Sequence, residues 1–113
     1  MSREEVIKDI LLLFNNWYPN SRIFKRNVGA VKIDNRWIKF GVRGQADLWG
    51  WIVVNDRPIH LEIEVKVKRD ELKPDQEHWK NLCIENRIIY AVCRDGDFRQ
   101  LCKEINRQIR RLS

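Results

Sequence analysis

The first part of the chain has apolar residues at helical spacing, which predicts an amphipathic helix from Arg3 to about Trp17. The apolar stripe of this helix consists of Val6, Ile7, Ile10, Leu11, Leu13, Phe14 and Trp17. Ser2 is suited to cap the helix, because Glu5 lies three residues later in the position of a capping box. Pro19 follows at the other end and predicts that the helix stops there.

The pattern then changes to a two-residue alternation of apolar and polar positions, which is typical of strands. A first strand is predicted at "RIFKRNV", and a hairpin-like turn at "DNR" leads into a second strand or extended segment, "WIKFGV". Two longer segments, "ADLWGWIVV" and "IHLEIEVKV", flank the short turn "NDRP". Because so short a connection joins them, these two strands are expected to be antiparallel neighbours.

The last third of the chain alternates between helix and strand. Pro74 suits the first turn of a helix that runs to about Asn86, and "IIYAVC" reads as a short buried strand. The final helix carries an apolar stripe of Phe98, Leu101, Cys102, Ile105, Ile109 and Leu112. The passage from Ile59 to Cys93 predicts a right-handed parallel crossover. Together these elements predict an α/β protein, a three-layer α/β/α sandwich with a small mixed sheet and the order αβββαβα.

Length and composition limit the class of protein. A chain of 113 residues, of which 43% are apolar, suits one domain spanning residues 1–113 with a real core. It has no apolar run of the ~20 residues that a membrane span needs, and the charged N-terminus lacks the cleavage site of a signal peptide. Three irregularly spaced cysteines favour reduced thiols, so an intracellular, cytoplasmic location is expected.

The charge balance indicates a class of partner. The chain has 22 Lys and Arg residues against 16 acidic residues, a net charge of +6, which favours a polyanion such as nucleic acid. Basic residues concentrate in "RIFKRNVGAVK" and in the C-terminal "KEINRQIRRLS". The C-terminal group has two interpretations that the sequence leaves open, a solvated helix end with favourable charge or a surface that contacts phosphates.

The segment "HLEIEVKVK" gives one strand an unusual polar face. Glu62, Glu64 and Lys66 project together, because strand side chains repeat every second residue. A strand that feeds a parallel crossover is normally covered on both faces, and burying such charges costs several kcal/mol per ion unless they are paired or bind metal. Either this face opens to a cleft, or its charges neutralise one another.

Asp47 favours a site over simple neutralisation. Antiparallel pairing across the "NDRP" turn places Asp47, at the start of its strand, near Glu64. An Asp and a Glu without a nearby histidine offer hard oxygen ligands, which suit magnesium or manganese rather than zinc. The backbone carbonyl of Val65 is a candidate further ligand, and Lys66 is placed to hold a water and to stabilise charge on a phosphate.

These residues resemble the PD-(D/E)XK nuclease pattern, with Asp47 followed by Glu64, Val65 and Lys66. The surrounding strings "GVRGQADLWGW", "EIEVK", "LKPDQEHW" and "IIYAVC" together resemble a VRR-NUC domain, a branch of that superfamily. The resemblance extends over nearly the whole chain, from the first helix to the last strand. The triplet that names the family is absent as such, and "GVRG" is the nearest string.

The resemblance implies a restriction-endonuclease-like core and magnesium-dependent hydrolysis of DNA, with an endonuclease the expected type. Asp47 and Glu64 would hold the metal, for which manganese may substitute, and Lys66 would assist the water. Gln76 corresponds to a glutamine that such domains often carry near the site. A glutamate of the first helix often completes the cleft, and we prefer Glu4 to Glu5 for this role because Glu5 is suited to capping.

The substrate expected from the resemblance is branched or junction DNA rather than a specific sequence. A homodimer would set two clefts against such a branch, and a compact nuclease of this kind would suit a phage or mobile element, acting in the host cytoplasm. Two other functions stay open. One is a catalytically silent nucleic-acid-binding protein with the nuclease fold, and the other is an interaction protein that binds an acidic partner.

Each site residue also has a purely structural interpretation. Asp47 suits a turn cap, and Glu64 with Lys66 suits an ion pair on a solvated face. For Glu62 we favour pairing with a basic neighbour over metal binding. Trp49 and Trp51 share one sheet face, where packing is the favoured role and stacking on an unpaired base the alternative.

Overall fold

A mixed four-stranded sheet and three helices form the body of the protein. The computed structural model describes residues 1–27 and 29–113. In chain order, its elements are α1 (Arg3–Trp17), β1 (Arg22–Lys25), β2 (Gly29–Ile33), β3 (Arg36–Phe40), β4 (Leu48–Val54), β5 (Arg57–Lys66), α2 (Pro74–Glu85), β6 (Ile89–Arg94) and α3 (Phe98–Leu112). The central sheet has the strand order β1-β4-β5-β6, while β2 and β3 pair with each other in a separate two-stranded sheet. The predicted α/β class and mixed sheet are confirmed.

The register of the sheet follows from its short turn and its crossover. Strands β4 and β5 are antiparallel as predicted, with Leu48 opposite Ile63 and Trp51 opposite His60. The turn between them uses Asn55 and Asp56, whose φ angles of 51° and 63° suit a two-residue hairpin. Strands β5 and β6 run parallel, joined through α2, as the predicted crossover requires.

The two faces of β5 pack against different partners. Leu61, Ile63 and Val65 belong to the main core. That core also contains residues from α1, β4, β6 and α3, namely Val6, Ile7, Ile10, Phe14, Leu48, Ile52, Ile89, Ala91, Cys93, Leu101 and Ile105. Burying each large aliphatic side chain stabilises the fold by about 1.5–3 kcal/mol. The other face of the sheet has a smaller cluster of Ala46, Cys83 and Tyr90, with Trp79 of α2 packed against it.

The predicted strand count was wrong in one region. Five strands lie between α1 and α2, where the predicted order has three. The first predicted strand ends early, at Lys25. The backbone N–H of Arg26 still donates to the carbonyl of Asp47, and the Arg26 side chain donates to Glu62 on β5. The following residues form the β2–β3 hairpin, whose turn residues Asp34 and Asn35 have positive φ angles. Val28, part of the predicted first strand, lies outside the described residues.

Hydrogen bonds at the first turns of α1 and α2 position the side chains of Glu5 and Gln76. The predicted capping box of α1 is confirmed, since the Glu5 N–H donates to Ser2 Oγ and the Ser2 N–H donates to Glu5 Oε1, both at 3.2 Å. At the start of α2, the backbone N–H of Lys73 donates to Gln76 Oε1 at 2.9 Å. Within residues 1–27 and 29–113, no helix has the length and apolarity to cross a bilayer.

Candidate active site

Asp47 is fixed to the strand that carries the two glutamates. It precedes β4, and because Leu48 lies opposite Ile63, the next position along the register sets Asp47 beside Glu64. The backbone N–H of Val65 donates to Asp47 Oδ2 at 2.7 Å. The structure therefore brings together the two carboxylates that sequence pairing placed side by side.

Glu64 has a buried oxygen atom that makes no hydrogen bond. The residue is 2% exposed, and its Oε1 has no hydrogen-bond partner among the described residues. Its Oε2 accepts a hydrogen bond from Gln76 Nε2 at 3.3 Å. Burial raises the pKa of Glu64 above its ordinary value, and this effect outweighs the opposing influence of the positive charges on Lys66 and Arg3. A buried carboxylate oxygen without a partner is costly, and this oxygen has the capacity to bind a cation or to accept a hydrogen bond.

Lys66 is held beside Glu64 by the side chain of Gln76. Its Nζ donates to Gln76 Oε1 at 3.0 Å and lies 3.6 Å from Glu64 Oε2. Gln76 thus bridges the ammonium and the carboxylate, and its own position follows from the first turn of α2. Because Lys66 is only 3% exposed, this pair is not the solvated ion pair of the structural interpretation.

Arg3 contributes a cation that the sequence did not single out. Its guanidinium forms an ion pair with Asp47 Oδ1, and it lies near enough to Glu64 to oppose the rise in the pKa of that carboxyl. A small depression of about 190 Å³ opens beside Asp47 and is lined by Arg3, Ile7, Lys25, Arg26, Gln45, Ala46 and Asp47. The approach to Asp47 is therefore basic, as suits a phosphate.

Glu62 is fully engaged in hydrogen bonds. Arg26 donates to both of its oxygens, at 2.5 and 2.8 Å, while Trp79 Nε1 donates to it at 3.0 Å and His60 Nε2 lies 2.7 Å away. Burial acts to raise the pKa of Glu62, but these hydrogen bonds outweigh burial and the pKa is lowered. Glu62 has the pairing role that its sequence favours, and its partner is Arg26.

Glu4 lies apart from the paired carboxylates. Its side chain is 63% exposed and forms ion pairs with Lys25 at 3.2 Å and with Arg3 at 3.4 Å. In the part of the chain that the structure describes, no three His, Cys, Asp or Glu side chains converge into one cluster. The structure brings Asp47, Glu64, Lys66 and Gln76 together and leaves Glu4 outside this group.

The residues at this site fit a hard divalent cation. Asp47 and Glu64 offer carboxylate oxygens, the ligands that magnesium and manganese prefer. The buried Oε1 of Glu64 has an unused acceptor position. The guanidinium of Arg3, paired with Asp47, already shows that a positive charge is favourable beside these carboxylates.

A comparison with protein families decides what kind of domain carries this site. The profile of the VRR-NUC domain matches residues 12–95, which is most of the chain. The chain belongs to the VRR-NUC domain family. This is a PD-(D/E)XK-like nuclease domain, and it implies nuclease activity on DNA. No curated protein and no solved structure shows a significant similarity to the chain.

The extent of the match separates the site residues into two groups. Asp47, Glu64, Lys66 and Gln76 lie within the matched VRR-NUC region, which begins inside α1 and ends just after β6. The first turn of α1, with Arg3 and Glu4, precedes it. The ion pair from Arg3 to Asp47 therefore reaches the candidate site from a segment that the match does not include.

Proposed function

We propose that this VRR-NUC domain is a magnesium-dependent endonuclease that hydrolyses phosphodiester bonds in DNA, with manganese able to replace magnesium. The observation that carries the proposal is the buried, unpartnered Oε1 of Glu64, on a carboxylate whose other oxygen, Oε2, lies 3.6 Å from the Lys66 ammonium. An unpartnered buried carboxylate oxygen is costly in a purely structural ion pair, and a bound cation would satisfy it. The proposal includes a restriction-endonuclease-like arrangement of the layers around the sheet.

The chain's own residues divide the work of the reaction. Asp47, Glu64 and the backbone carbonyl of Val65 would hold the ion, which when bound supplies positive charge for the phosphate and an acidified water as nucleophile. Lys66 would orient the attacking water and stabilise the negative charge that develops on the phosphate. Gln76 keeps the Lys66 ammonium in place through its hydrogen bond of 3.0 Å.

The charge of the chain supports binding through the DNA backbone. The net charge of +6 and the basic depression beside Asp47 favour phosphate contacts, which carry no sequence information. Binding should therefore weaken steeply as salt is added. We propose selectivity for branched or junction DNA, with a homodimer presenting two sites to the branch.

Cleavage assays test this proposal. A supercoiled plasmid, a linear duplex and a four-way junction would be incubated with magnesium, manganese or EDTA. We expect metal-dependent cleavage that is lost in Lys66→Ala and retained in Lys68→Ala, which removes an exposed lysine two residues away. The junction should be cut faster than the linear duplex.

Two results would overturn parts of this function. Cleavage by folded Lys66→Ala at the wild-type rate would exclude the proposed role of Lys66. DNA binding without cleavage in either metal would instead favour the catalytically silent nucleic-acid-binding protein.

A further inference from the structure

Three aromatic rings form a partly exposed cluster on the sheet, here called the aromatic patch: Phe24, which is exposed, and Trp49 and Trp51, which are half-buried. The Phe24 ring lies 5.1 Å from that of Trp49 and 5.7 Å from that of Trp51, and Phe24 is 40% exposed. A shallow depression of about 510 Å³ adjoins the patch and is lined by Trp49, Gly50, Trp51, Pro58 and His60. The patch therefore offers a broad, open aromatic surface.

The backbone is built to bring these rings together. Phe24 of β1 lies opposite Trp49 of β4, and Arg22 lies opposite Trp51. Gly50 separates the two tryptophans, and a Cβ at this position would lie 1.9 Å from the carbonyl oxygen of Arg22. The glycine thus permits the close approach of β1 that seats Phe24 between the two tryptophans.

The aromatic patch does not serve either core cluster. None of its three residues belongs to the main core or to the smaller cluster beneath α2. Aromatic side chains contribute most to stability when they are buried, so three of them left together at a surface indicate a binding site.

The patch lies on the same face of the sheet as the proposed active site. Asp47, Trp49 and Trp51 alternate along one strand and so share a face, and Trp49 lies opposite Glu62 on β5. At a rise of about 3.4 Å per residue, Trp49 is roughly 7 Å and Trp51 roughly 14 Å from Asp47 along the strand. A DNA strand with its phosphate at Asp47 would bring nearby nucleotides over the patch.

The charges around the patch match a nucleic acid. The Arg26 guanidinium lies 6.0 Å from the Trp49 ring and neutralises Glu62, the adjacent carboxylate. Arg22 is exposed on the same edge, and across residues 1–27 and 29–113 no carboxylate forms an ion pair with it. Aromatic rings beside a cation without an acidic partner among the described residues, here Arg22, suit base stacking and phosphate contact with a single strand.

A second copy of this chain fits the patch less well. A two-fold interface apposes the same surface from both copies. Arg22 and its symmetry mate would then approach each other without an acidic partner at the patch. The positive charge therefore favours a polyanion over self-association.

We infer that the aromatic patch stacks unpaired bases of the DNA strand whose phosphate occupies the proposed active site. This inference rests on the proposed function and names its substrate class, namely DNA with unpaired nucleotides beside the cut. In a continuous duplex the bases are stacked within the helix, and their faces are not available to Phe24 or Trp51. Unpaired nucleotides at a branch or a flap present those faces freely.

Binding measured in EDTA tests the patch without any cleavage. Fluorescence anisotropy would compare a labelled single-stranded oligonucleotide with a blunt duplex of the same length. We expect Trp51→Ala and Phe24→Ala to weaken single-strand binding by about 5- to 100-fold and duplex binding by less than about twofold. Trp51→Phe, which keeps an aromatic face, should retain most of the affinity.

A matched control separates stacking from a general loss of apolar surface. Leu12→Ala removes an exposed apolar side chain of α1, and it should leave single-strand binding unchanged. Thermal melting would show that the patch variants are folded, and Trp51→Phe keeps the test valid if Trp51→Ala unfolds.

Several results would overturn the inference. These are wild-type affinity for single strands in folded Trp51→Ala, an equal loss of single-strand and duplex binding, or weak single-strand binding by Trp51→Phe as well. A change from dimer to monomer in sedimentation, with single-strand binding intact, would identify the patch as a self-interface. Strong single-strand binding by a wild-type protein that cleaves nothing would reject the nuclease proposal and leave the patch in place.

Discussion

Glu62 and Glu64 lie two residues apart on β5, point to the same face and are both buried, yet their surroundings are opposite. Glu62 is 0% exposed and Glu64 is 2% exposed. Arg26 donates to both oxygens of Glu62, whereas Oε1 of Glu64 has no partner in the described structure. The pKa of Glu62 is lowered despite its burial, while burial dominates at Glu64 and the pKa of that carboxyl is raised. Partners, and not burial, distinguish the two residues.

The difference shows that β5 carries one glutamate that supports the structure, Glu62, and one that has the proposed chemical role, Glu64. Glu62 holds Arg26, whose backbone N–H donates to the carbonyl of Asp47 at 2.8 Å and whose guanidinium donates to the carbonyl of Ala46 at 3.3 Å. The paired glutamate thus fixes the segment that carries Asp47. Glu64 instead keeps an unsatisfied oxygen, a cost that folded proteins rarely accept outside functional sites.

The largest expected effect comes from removing the Glu62 carboxylate, which is paired with Arg26. Glu62→Ala should lower the free energy of unfolding by about 3–5 kcal/mol, because it leaves the largely buried guanidinium of Arg26 without its carboxylate. Urea unfolding followed by circular dichroism would measure the loss. Glu62→Gln, which keeps two polar atoms in place, should lose less. A loss below about 1 kcal/mol for Glu62→Ala would contradict a structural role for Glu62.

Glu64→Gln should have the opposite effects, with metal binding and cleavage weakened and stability retained. Removing a buried charge that lacks a full set of partners should leave the free energy of unfolding unchanged or raise it. Magnesium affinity and the cleavage rate should each fall by at least about 100-fold, since even residues that only support metal ligands are worth 10- to 100-fold. Isothermal titration calorimetry with magnesium and manganese gives a readout besides activity. Unchanged metal affinity would remove Glu64 from the metal site.

The position of Asp47 beside Glu64 could be predicted from the sequence. The alternation of β4 and β5 and the short turn between them determine the register, and that register brings Asp47 beside Glu64. The two-residue periodicity of a strand is a local property, so the face on which each side chain lies can be predicted from sequence alone. The position of Gln76 could be predicted for a similar reason. Pro74 marks the start of α2 and therefore places Gln76 in its first turn.

The partners of Glu62 and Asp47 could not be derived in the same way. The alternation in "RIFKRNVGAVK" fits one long strand as well as two short ones, so the end of β1 and the inward turn of Arg26 depend on contacts distant in sequence. Arg3 reaches Asp47 across 44 positions of sequence, and a charged residue in a helix's first turn usually points to solvent. The hairpin-like turn at "DNR" was predicted, but the pairing of β2 with β3 in a separate sheet was not, because local alternation does not state which sheet a strand joins.

Gln76→Ala tests whether the Glu64 side depends on its own supporting residue. It removes the hydrogen bonds to Lys66 Nζ and Glu64 Oε2, so we expect the cleavage rate to fall by about 10- to 100-fold. Metal affinity should change much less, because Asp47 and Glu64 remain. Gln100→Ala, at an exposed position of α3, is the matched control. An equal loss of metal affinity and cleavage would make Gln76 a part of the metal site instead of a support for Lys66.

Arg3→Ala should produce the smallest effect, and it is the one variant expected to bind magnesium more tightly. The Arg3 guanidinium is paired with Asp47, so a metal ion must displace or share with it, and its removal should tighten magnesium binding by about two- to fivefold, the scale of a partly exposed ion pair. Calorimetry of Arg3→Ala against Arg99→Ala, which removes an equal charge from exposed α3, corrects for net charge. Weaker magnesium binding in Arg3→Ala would mean that Arg3 orients Asp47 for the ion, and that the two cations do not compete.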